Sequence, residues 1–315
     1  MHKLGTMTRA HSGLDDLATT LDALPTEAGS EASAGYELLS TRELVRRMNA
    51  EDAGVPDAIA AVADRVSAAI DAVSDRLLRG GRLIYVGAGS SGRIAAVDAA
   101  ECESTFATRP GQVLALVAGG VAAAPLEQES AEDDRGGGAA DLDELDVSAD
   151  DAVGGISASG RTPYVLGALE RAAASGALTV SVTCVPGSEL ARLTEHDVAV
   201  AVGPEFLAGS TRLKAGTAQK LVLNMVTTIS MIRLGKTFGN LMVDVQATNE
   251  KLRARVLRIV QAATGASPTE AATALEAADG NTRVAIVSLL ARVPPAEARA
   301  LLDASGQSIA RAVSP

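Results

Sequence analysis

Two serines and three glycines lie within one seven-residue segment, GAGSSGR, at residues 87–93. The segment follows the apolar run 83–86 and precedes the alanine-rich run 94–100, an order that predicts strand, glycine loop and helix. Glycines let the backbone approach an anion closely, and the N–H groups at a helix start then point at that anion. Because the hydroxyls of Ser90 and Ser91 are donors that phosphate oxygens accept, the segment predicts a phosphate-binding loop.

The same glycines also match G-x-G-x-x-G, the fingerprint of dinucleotide-binding proteins. That fold carries a carboxylate at the end of the next strand, about 20 residues further on. Here the next strand-like run, 112–117, ends in Ala118, Gly119 and Gly120 without an acidic residue. A sugar phosphate therefore suits the two serines better than a nicotinamide cofactor, and a tight turn without a ligand is the alternative for this segment alone.

A second serine loop repeats the pattern. The strand-like run 152–156 leads into SASGRTP at residues 157–163. Thr162 is a good N-cap and Pro163 a good first helical residue, so a helix is expected from there through Ala174. Loops that follow parallel strands lie at the same edge of a sheet, so the two loops are expected to converge on one phosphate. The predicted binding residues are Gly89, Ser90, Ser91, Arg93, Ser157, Ser159, Gly160 and Thr162; whether Arg93 and Arg161 reach the phosphate or brace a loop stays open.

Composition excludes several classes of protein. The 28 basic and 39 acidic residues give a formal net charge of −11, which argues against nucleic acid or an anionic membrane surface as a partner. Two cysteines and three histidines are too few for a disulfide framework or a His-based metal site. The sequence also lacks the run of about 20 apolar residues needed to cross a bilayer and the apolar core of a signal peptide. A cytoplasmic location is predicted.

Hydrophobic periodicity supplies the elements that position the loops. Strands are predicted near residues 83, 113, 153, 179–183 and 198–202, mostly separated by helices, which indicates a parallel α/β sheet. A capping box at Ser40–Glu43 predicts a helix through Met48, and apolar residues from Ile59 to Leu77 predict one long amphipathic helix. A further helix is expected from Thr217 to Leu234, followed by a mostly helical tail.

Six segments of the chain stand in an order typical of one family. They are GAGSSGR at 87–93, DAAEC at 98–102, AED at 131–133, SASGRTPY at 157–164, KAGTAQK at 214–220 and FGNLMVD at 238–244. With two serine loops on an α/β sheet, the chain resembles the sugar isomerase (SIS) fold of phosphosugar-binding proteins. From residue 38 onward it is similar to the N-acetylmuramic acid 6-phosphate etherase family. One departure is that Glu103 and Ser104 follow Cys102 where the family has two prolines, which affects the local loop but not the acidic residue before it.

The resemblance implies an organisation and a reaction. The expected fold is a three-layer, doubly wound parallel sheet of about five strands. Its expected parts are a mobile extension (1–37), N-terminal helices (38–72), the SIS domain (73–236) and an all-helical C-terminal subdomain (237–315). The implied reaction cleaves the lactyl ether of the muramic acid phosphate by elimination and hydration, without a metal or other cofactor. A phosphosugar isomerase and a non-catalytic sugar-phosphate sensor are the alternatives. The sensor has less support, because no helix-turn-helix with a basic face precedes the α/β domain in this sequence.

By resemblance, Glu101 maps to the proton donor of the family and Glu132 to its second acid/base, with Glu101 protonating lactate and Glu132 removing the carbon 2 proton. The residues alone also allow Glu101 to be a solvated helix acid and Glu132 to belong to an acidic surface run. Lys214 precedes the expected helix start at Thr217, and in SIS proteins the equivalent loop closes over the sugar.

The position of Glu101 raises a geometric question. A straight helix from Gly92 would place Glu101 about 13 Å from the loop, further than a phosphorylated hexose spans. Either the helix ends near Asp98 and the chain turns back, or a second subunit completes the site. The resemblance implies a homodimer with shared active sites.

Overall fold

The structure, a computed structural model, describes residues 27–29, 35–122, 130–245 and 250–314. The mobile extension predicted over residues 1–37 therefore lies mostly outside the described residues, as does the part of the acidic run at 123–129. None of the helices in the described ranges is both long and apolar enough to span a membrane.

The helices before the sheet begin where a capping residue predicts. Ser40 is the N-cap of the first helix, and its side chain accepts a hydrogen bond from the Glu43 N–H at 3.3 Å. The predicted single helix from Ile59 to Leu77 is wrong, because the backbone bond from Val62 N–H to the Ile59 carbonyl tightens the chain into a turn that separates two helices. The elements are a 3₁₀ turn at Tyr36–Leu38, then α1 Thr41–Asp52, α2 Val55–Ala60 and α3 Ala63–Leu78.

A five-stranded sheet follows, and it confirms the predicted α/β class. The strands are β1 Leu83–Gly87, β2 Val113–Val117, β3 Ala152–Ile156, β4 Leu178–Thr183 and β5 His196–Ala199. Their order is β2-β1-β3-β4-β5. The β3–β4 and β4–β5 pairs are parallel, with Ala152 opposite Leu178 and Val180 opposite His196. The last strand starts two residues earlier than predicted and ends at Ala199.

Helices connect and cover these strands. They are α4 Gly89–Phe106, α5 Arg135–Asp143, α6 Pro163–Ala174, α7 Glu189–Leu193 and α8 Lys214–Arg233. Every residue of β1, β3 and β4 is buried, as expected for strands that are covered on both faces. The strand order reverses direction between β1 and β3, and open α/β sheets bind ligands at such a switch point. Both serine loops directly follow these two strands.

The chain divides into two compact units, which are described separately. The first unit comprises Met1–Ala69, Ile84–Ala96 and Ala115–Leu223, and it contains both serine loops. The second comprises Ile70–Leu83, Val97–Leu114 and Asn224–Pro315.

The C-terminal part of the second unit is mostly helical, but it begins with a two-stranded hairpin. Its elements are β6 Thr237–Phe238, β7 Leu241–Met242, α9 Glu250–Thr264, α10 Pro268–Ala277, α11 Thr282–Ala291, α12 Pro295–Ala304 and α13 Ile309–Ala312. In the hairpin, Thr237 pairs antiparallel with Met242, so the predicted all-helical subdomain is wrong in this detail. Val256, Val260 and Ile286 belong to the apolar core that the helices share.

Glycines bring α5 and α6 into backbone contact. A Cβ atom on Gly138 would lie 1.9 Å from the Tyr164 carbonyl oxygen, and one on Gly167 would lie 1.9 Å from the Arg135 carbonyl oxygen. A side-chain hydrogen bond also joins the two helices, because the Tyr164 hydroxyl on α6 donates to Asp141 on α5 at 2.5 Å. Glu132 lies three residues before the start of α5, so this close packing brings its segment near the start of α6.

We expect Gly138→Ala to destabilise the protein and Gly136→Ala, two residues earlier in the same helix, to leave its stability unchanged or slightly higher. The Gly138 methyl must displace backbone, which typically costs about 1–3 kcal/mol of unfolding free energy. The nearest atom to a Cβ on Gly136 is an Asp134 oxygen at 3.4 Å, so only the helix propensity changes. Thermal unfolding of both variants tests this, and equal melting temperatures would contradict it.

Both cysteines are buried and unpaired thiols. Burial raises the pKa of the Cys184 thiol to about 12, and the negative charge of Glu205 adds to the effect. Burial, with a further contribution from Asp98, raises the pKa of Cys102 to about 12. Since the thiolate is the reactive form, both side chains are protonated and inert at neutral pH.

The folded protein should therefore react slowly with a disulfide reagent at pH 8 and release its two thiols on denaturation. The raised pKa values mean that the folded state holds protons that the unfolded state loses, so their stabilising effect is present below about pH 8.5 and declines as the pH rises above it. Colorimetric thiol titration with and without guanidinium measures the first effect. Rapid labelling of native protein at pH 8 would show that the thiols are not buried.

Candidate functional site

A cavity of about 470 Å³ lies between the two serine loops, within the size range of ligand pockets. The cavity-lining residues come from both loops, from the segments that precede α5 and α8, and from Glu27 in the N-terminal part of the chain. They are Glu27, Ala88, Gly89, Ser90, Ser91, Glu132, Asp133, Ser157, Ala158, Ser159, Arg161, Thr162, Pro163 and Thr211. All of them belong to the first unit.

The first loop is a tight strand-to-helix turn. A Cβ on Gly87 would lie 2.8 Å from the Gly92 backbone, and one on Gly92 would lie 2.7 Å from the Gly87 carbonyl oxygen, so neither position has room for a side chain. The helix begins at Gly89, three residues before the start at Gly92 considered from the sequence, which places Ser90 and Ser91 in its first turn. The N–H groups of a first helical turn have no partner within the helix, and here that turn borders the cavity.

The second loop contains a chain of hydrogen bonds that ends on a carboxylate. The Gly160 N–H donates to Ser157 Oγ at 3.0 Å, and Ser157 Oγ lies 2.9 Å from Thr162 Oγ1. Thr162 Oγ1 in turn donates to Glu132 Oε1 at 3.3 Å. Since Thr162 gives its proton to Glu132, Ser157 must donate to Thr162, and the whole chain points towards Glu132. Ser159 Oγ lies 3.5 Å from Ser157 Oγ.

The backbone and the surrounding contacts explain why a threonine stands at position 162 and a glycine at position 160. The predicted helix from Pro163 to Ala174 is confirmed with Thr162 as its N-cap residue, but the Thr162 hydroxyl caps no backbone N–H and bonds to the site instead. Gly160 has a φ of +65°, and a Cβ there would lie 2.3 Å from Ser188 Oγ. Gly160 therefore shapes the loop and does not itself line the cavity.

Two predicted basic residues are not among the described residues that line the cavity. Arg93 is exposed on α4, whereas Arg161 borders the cavity. The Lys214 side chain is 9% exposed, and its Nζ lies 3.3 Å from Glu51 Oε2. The predicted helix start at Thr217 is wrong, because Lys214 is the first residue of α8.

The start of α8 is held by a buried carboxylate. Glu205 is 1% exposed and accepts the backbone N–H groups of Lys214 and Ala215, each at 2.9 Å. A carboxylate at a helix N-terminus satisfies the unpaired N–H groups and interacts favourably with the helix dipole. This terminus is therefore already occupied by the protein itself.

Glu101 lies in the second unit and does not line the cavity. The alternative in which the helix ends near Asp98 is wrong, because α4 continues without a break to Phe106. Within the second unit, Asp98 is buried and accepts hydrogen bonds from Asn224 at 2.7 Å and Thr227 at 3.2 Å, which joins α4 to α8. Glu101 itself is exposed.

The sequence interpretation missed several residues of the site. Asp133, Thr211 and Glu27 line the cavity. Behind it, the Ser91 hydroxyl donates to Oε1 of the buried Gln219 at 3.0 Å. Gln219 stands in the segment KAGTAQK, which carried the family resemblance, but a glutamine five residues into a helix has no local feature that marks it as a partner of Ser91.

The arrangement combines two chemical capacities. Hydroxyl groups, the first turn of α4 and the Arg161 guanidinium can bind the oxygens of a phosphate. Glu132 and Asp133, beside them, can transfer a proton to or from a bound molecule. No group of three or more His, Cys, Asp or Glu side chains suited to hold a metal ion occurs among the described residues.

Comparisons with known proteins agree with this fold. Residues 61–173 match the family model of the glucokinase regulatory protein N-terminal SIS domain, and residues 136–229 match that of the SIS domain. Together these matches cover both serine loops, so the predicted SIS fold is confirmed.

Relatives named N-acetylmuramic acid 6-phosphate etherase match almost the whole chain. The protein from Rubrobacter xylanophilus is 58% identical over 90% of this chain and 94% of its own length. Its counterpart from Streptomyces coelicolor is 55% identical over 92% and 94%, and that from Escherichia coli O127:H6 is 48% identical over 91% and 96%. At this identity and coverage, the chain belongs to the N-acetylmuramic acid 6-phosphate etherase family.

Proposed function

We propose that this chain cleaves the lactyl ether of N-acetylmuramic acid 6-phosphate, producing N-acetylglucosamine 6-phosphate and D-lactate in the recycling of cell-wall amino sugars. The names of the close relatives support this reaction. The structural observation that carries it is the hydrogen-bond chain from the second serine loop to Glu132, because it joins a carboxylate that can serve as acid or base to a loop whose hydroxyls can bind a phosphate.

Elimination explains why carboxylates suffice for this chemistry. In the ring-opened sugar, carbon 2 lies next to the aldehyde, which acidifies its proton. A base removes that proton, the electron pair forms a carbon 2–carbon 3 double bond, and the ether bond at carbon 3 breaks. The departing lactate oxygen takes a proton, and water then adds hydroxyl to carbon 3 and hydrogen to carbon 2.

Glu132 is the proposed base. Its side chain is half-buried in the cavity wall, and the Thr162 hydroxyl donates to one of its carboxylate oxygens. This hydrogen bond orients the carboxylate and leaves lone pairs that accept the carbon 2 proton.

The phosphate is proposed to bind at the serine loops. Ser90, Ser91 and Ser159 border the cavity together with the first turn of α4. Ser157, Gly160 and Thr162 form the hydrogen-bonded floor beneath them. A phosphate bound at the serine loops lies at one end of the cavity, so the distance from the phosphate to carbon 2 determines which base reaches the proton.

Glu101 is the proposed acid, and we propose that a second copy of the chain brings it into use. Val97 is 64% exposed on α4, and Glu101 follows four residues later on the same helix face. In the same unit, α8 exposes an apolar stripe formed by Met225, Ile229 and Ile232. Exposed apolar surface of this kind is typical of association sites. A homodimer that buries this surface would cover Glu101 and place it against the cavity of the partner.

The proposal includes a cytoplasmic location. Both cysteines are free thiols, as is usual for proteins of a reducing compartment.

The direct test is to incubate the purified protein with N-acetylmuramic acid 6-phosphate and to measure D-lactate enzymatically. Stoichiometric release of D-lactate and N-acetylglucosamine 6-phosphate is expected, and Glu132→Gln should lower kcat by about 10²–10⁴-fold. Binding of sugar phosphate without lactate release would contradict the etherase and favour an isomerase or a sensor.

Mixing two inactive variants tests how Glu101 is used. We expect Glu101→Gln to block lactate release while leaving affinity for the sugar phosphate nearly unchanged. If Glu101 acts in the cavity of the partner, a refolded mixture of Glu101→Gln and Glu132→Gln chains contains mixed dimers with one complete site and recovers about a quarter of the wild-type activity. Each variant refolded alone is the control. A mixture without activity would contradict a shared site, and a large loss of affinity in Glu101→Gln would make Glu101 a binding residue.

A further inference from the structure

Ser91 and Gln219 form a buried hydrogen-bonded pair at the back of the cavity. Ser91 Oγ donates to Gln219 Oε1 at 3.0 Å, and the two residues are 8% and 1% exposed. Gln219 Nε2, the other end of the same amide, is buried without a hydrogen-bond partner among the described residues. The pair therefore contains one satisfied acceptor and one unsatisfied donor.

The single hydroxyl proton of Ser91 limits how many hydrogen bonds this side chain can donate. A serine hydroxyl carries one proton and can donate only one hydrogen bond. While that proton lies on Gln219 Oε1, Ser91 can present only lone pairs to the cavity. A phosphate oxygen is itself an acceptor, so this arrangement does not suit a bound phosphate.

Rotating the Gln219 amide by half a turn removes the conflict. Amide oxygen and nitrogen are almost the same size, so the two orientations fit the same space. In the rotated form, Nε2 donates to Ser91 Oγ, and the hydroxyl proton is released towards the cavity. A hydrogen bond to a charged phosphate is about twice as strong as a neutral one, so a bound phosphate favours the rotated form.

The helix start that carries Gln219 is held by hydrogen bonds and packing, whereas the side-chain amide can rotate about its own bond. The first turn of α8 is held by the two hydrogen bonds from Lys214 and Ala215 to Glu205. A Cβ on Gly216 would lie 3.4 Å from Ile94 Cδ1, so the start of α8 packs closely on the first turns of α4. Both partners of the Ser91–Gln219 pair thus come from the first turns of helices that pack on each other.

We infer that Gln219 is a positioning residue for phosphate binding, and that its side-chain amide reverses when the phosphate enters so that Ser91 becomes a donor. This inference rests on the proposed function in one respect only, that the cavity binds a sugar phosphate. A glutamine is suited to the role because its amide offers both an acceptor and a donor at the same distance from the backbone.

A double-mutant cycle on phosphate affinity tests the coupling. The probe is N-acetylglucosamine 6-phosphate, whose binding by calorimetry does not depend on lactate release. Ser91→Ala should weaken binding about tenfold or more, and Gln219→Met about three- to tenfold. Because Gln219 acts through Ser91, adding Gln219→Met to Ser91→Ala should cause no further loss. Lys220→Met, an exposed change one residue along the same helix, is the matched control and should bind as the wild type does.

Two readouts separate positioning from a purely structural role. In lactate release, Gln219→Met should raise KM with kcat within about threefold of the wild type. In the unmutated protein, the Gln219 side-chain amide resonances, identified by their change in the Ser91→Ala spectrum, should shift on addition of N-acetylglucosamine 6-phosphate but not of N-acetylglucosamine. This second readout does not require the Gln219 variant to fold.

The possible failures are distinct. Additive losses in the cycle, a fall in kcat without a change in KM, or amide resonances that do not respond to the phosphosugar would overturn the role of Gln219. A wild-type protein that does not bind the phosphosugar would overturn it as well. A protein that binds the phosphosugar and shows the coupling but releases no D-lactate would contradict the proposed reaction and leave the role of Gln219 supported.

Discussion

The hydrogen bond from Thr162 to Glu132 is the interaction on which the rest of the site depends. It joins the serine loop after β3 to the segment before α5, two parts of the chain that are 30 residues apart. It is possible because Gly138 and Gly167 let α5 and α6 approach to backbone contact, which brings residue 132 within reach of the start of α6. Thr162 gives up the usual capping bond to make it.

The number of hydroxyl protons available for hydrogen bonds is a second constraint on the same cavity. Each hydroxyl has one proton, and the chain through Ser157 and Thr162 directs both of theirs towards Glu132. Hydrogen bonds aligned in this way strengthen one another. Ser159 in turn donates to Ser157, so the donors left for a phosphate are Ser90, the first turn of α4 and, with the rotated Gln219 amide, Ser91. In the proposed reaction, the loop after β3 therefore holds the acid/base group, while the other side of the cavity receives the anion.

Glu101 shows how one helix can carry a residue away from a cavity that the start of the same helix borders. The unbroken α4 begins with Ser90 in its first turn and reaches Glu101 about 16 Å further along its axis, at a rise of about 1.5 Å per residue. The buried Asp98 joins that part of α4 to α8, and the exposed face next to it carries both Val97 and Glu101. Covering this face in a dimer would remove water from Glu101, and burial is the usual way to make a carboxylate an effective proton donor.

The sequence by itself determined the features whose causes are local. The glycine turn after β1, the helix start at Pro163 and the apolar strands follow from backbone sterics, capping and hydrophobic periodicity, and the structure confirms them. Only the tertiary structure decided which side chains meet. It placed Arg161 rather than Arg93 at the cavity, paired Lys214 with Glu51, and set Gln219 behind Ser91 across 128 positions of sequence. These contacts depend on how helices pack against one another, and a local sequence pattern carries no information about a partner that arrives from a distant helix.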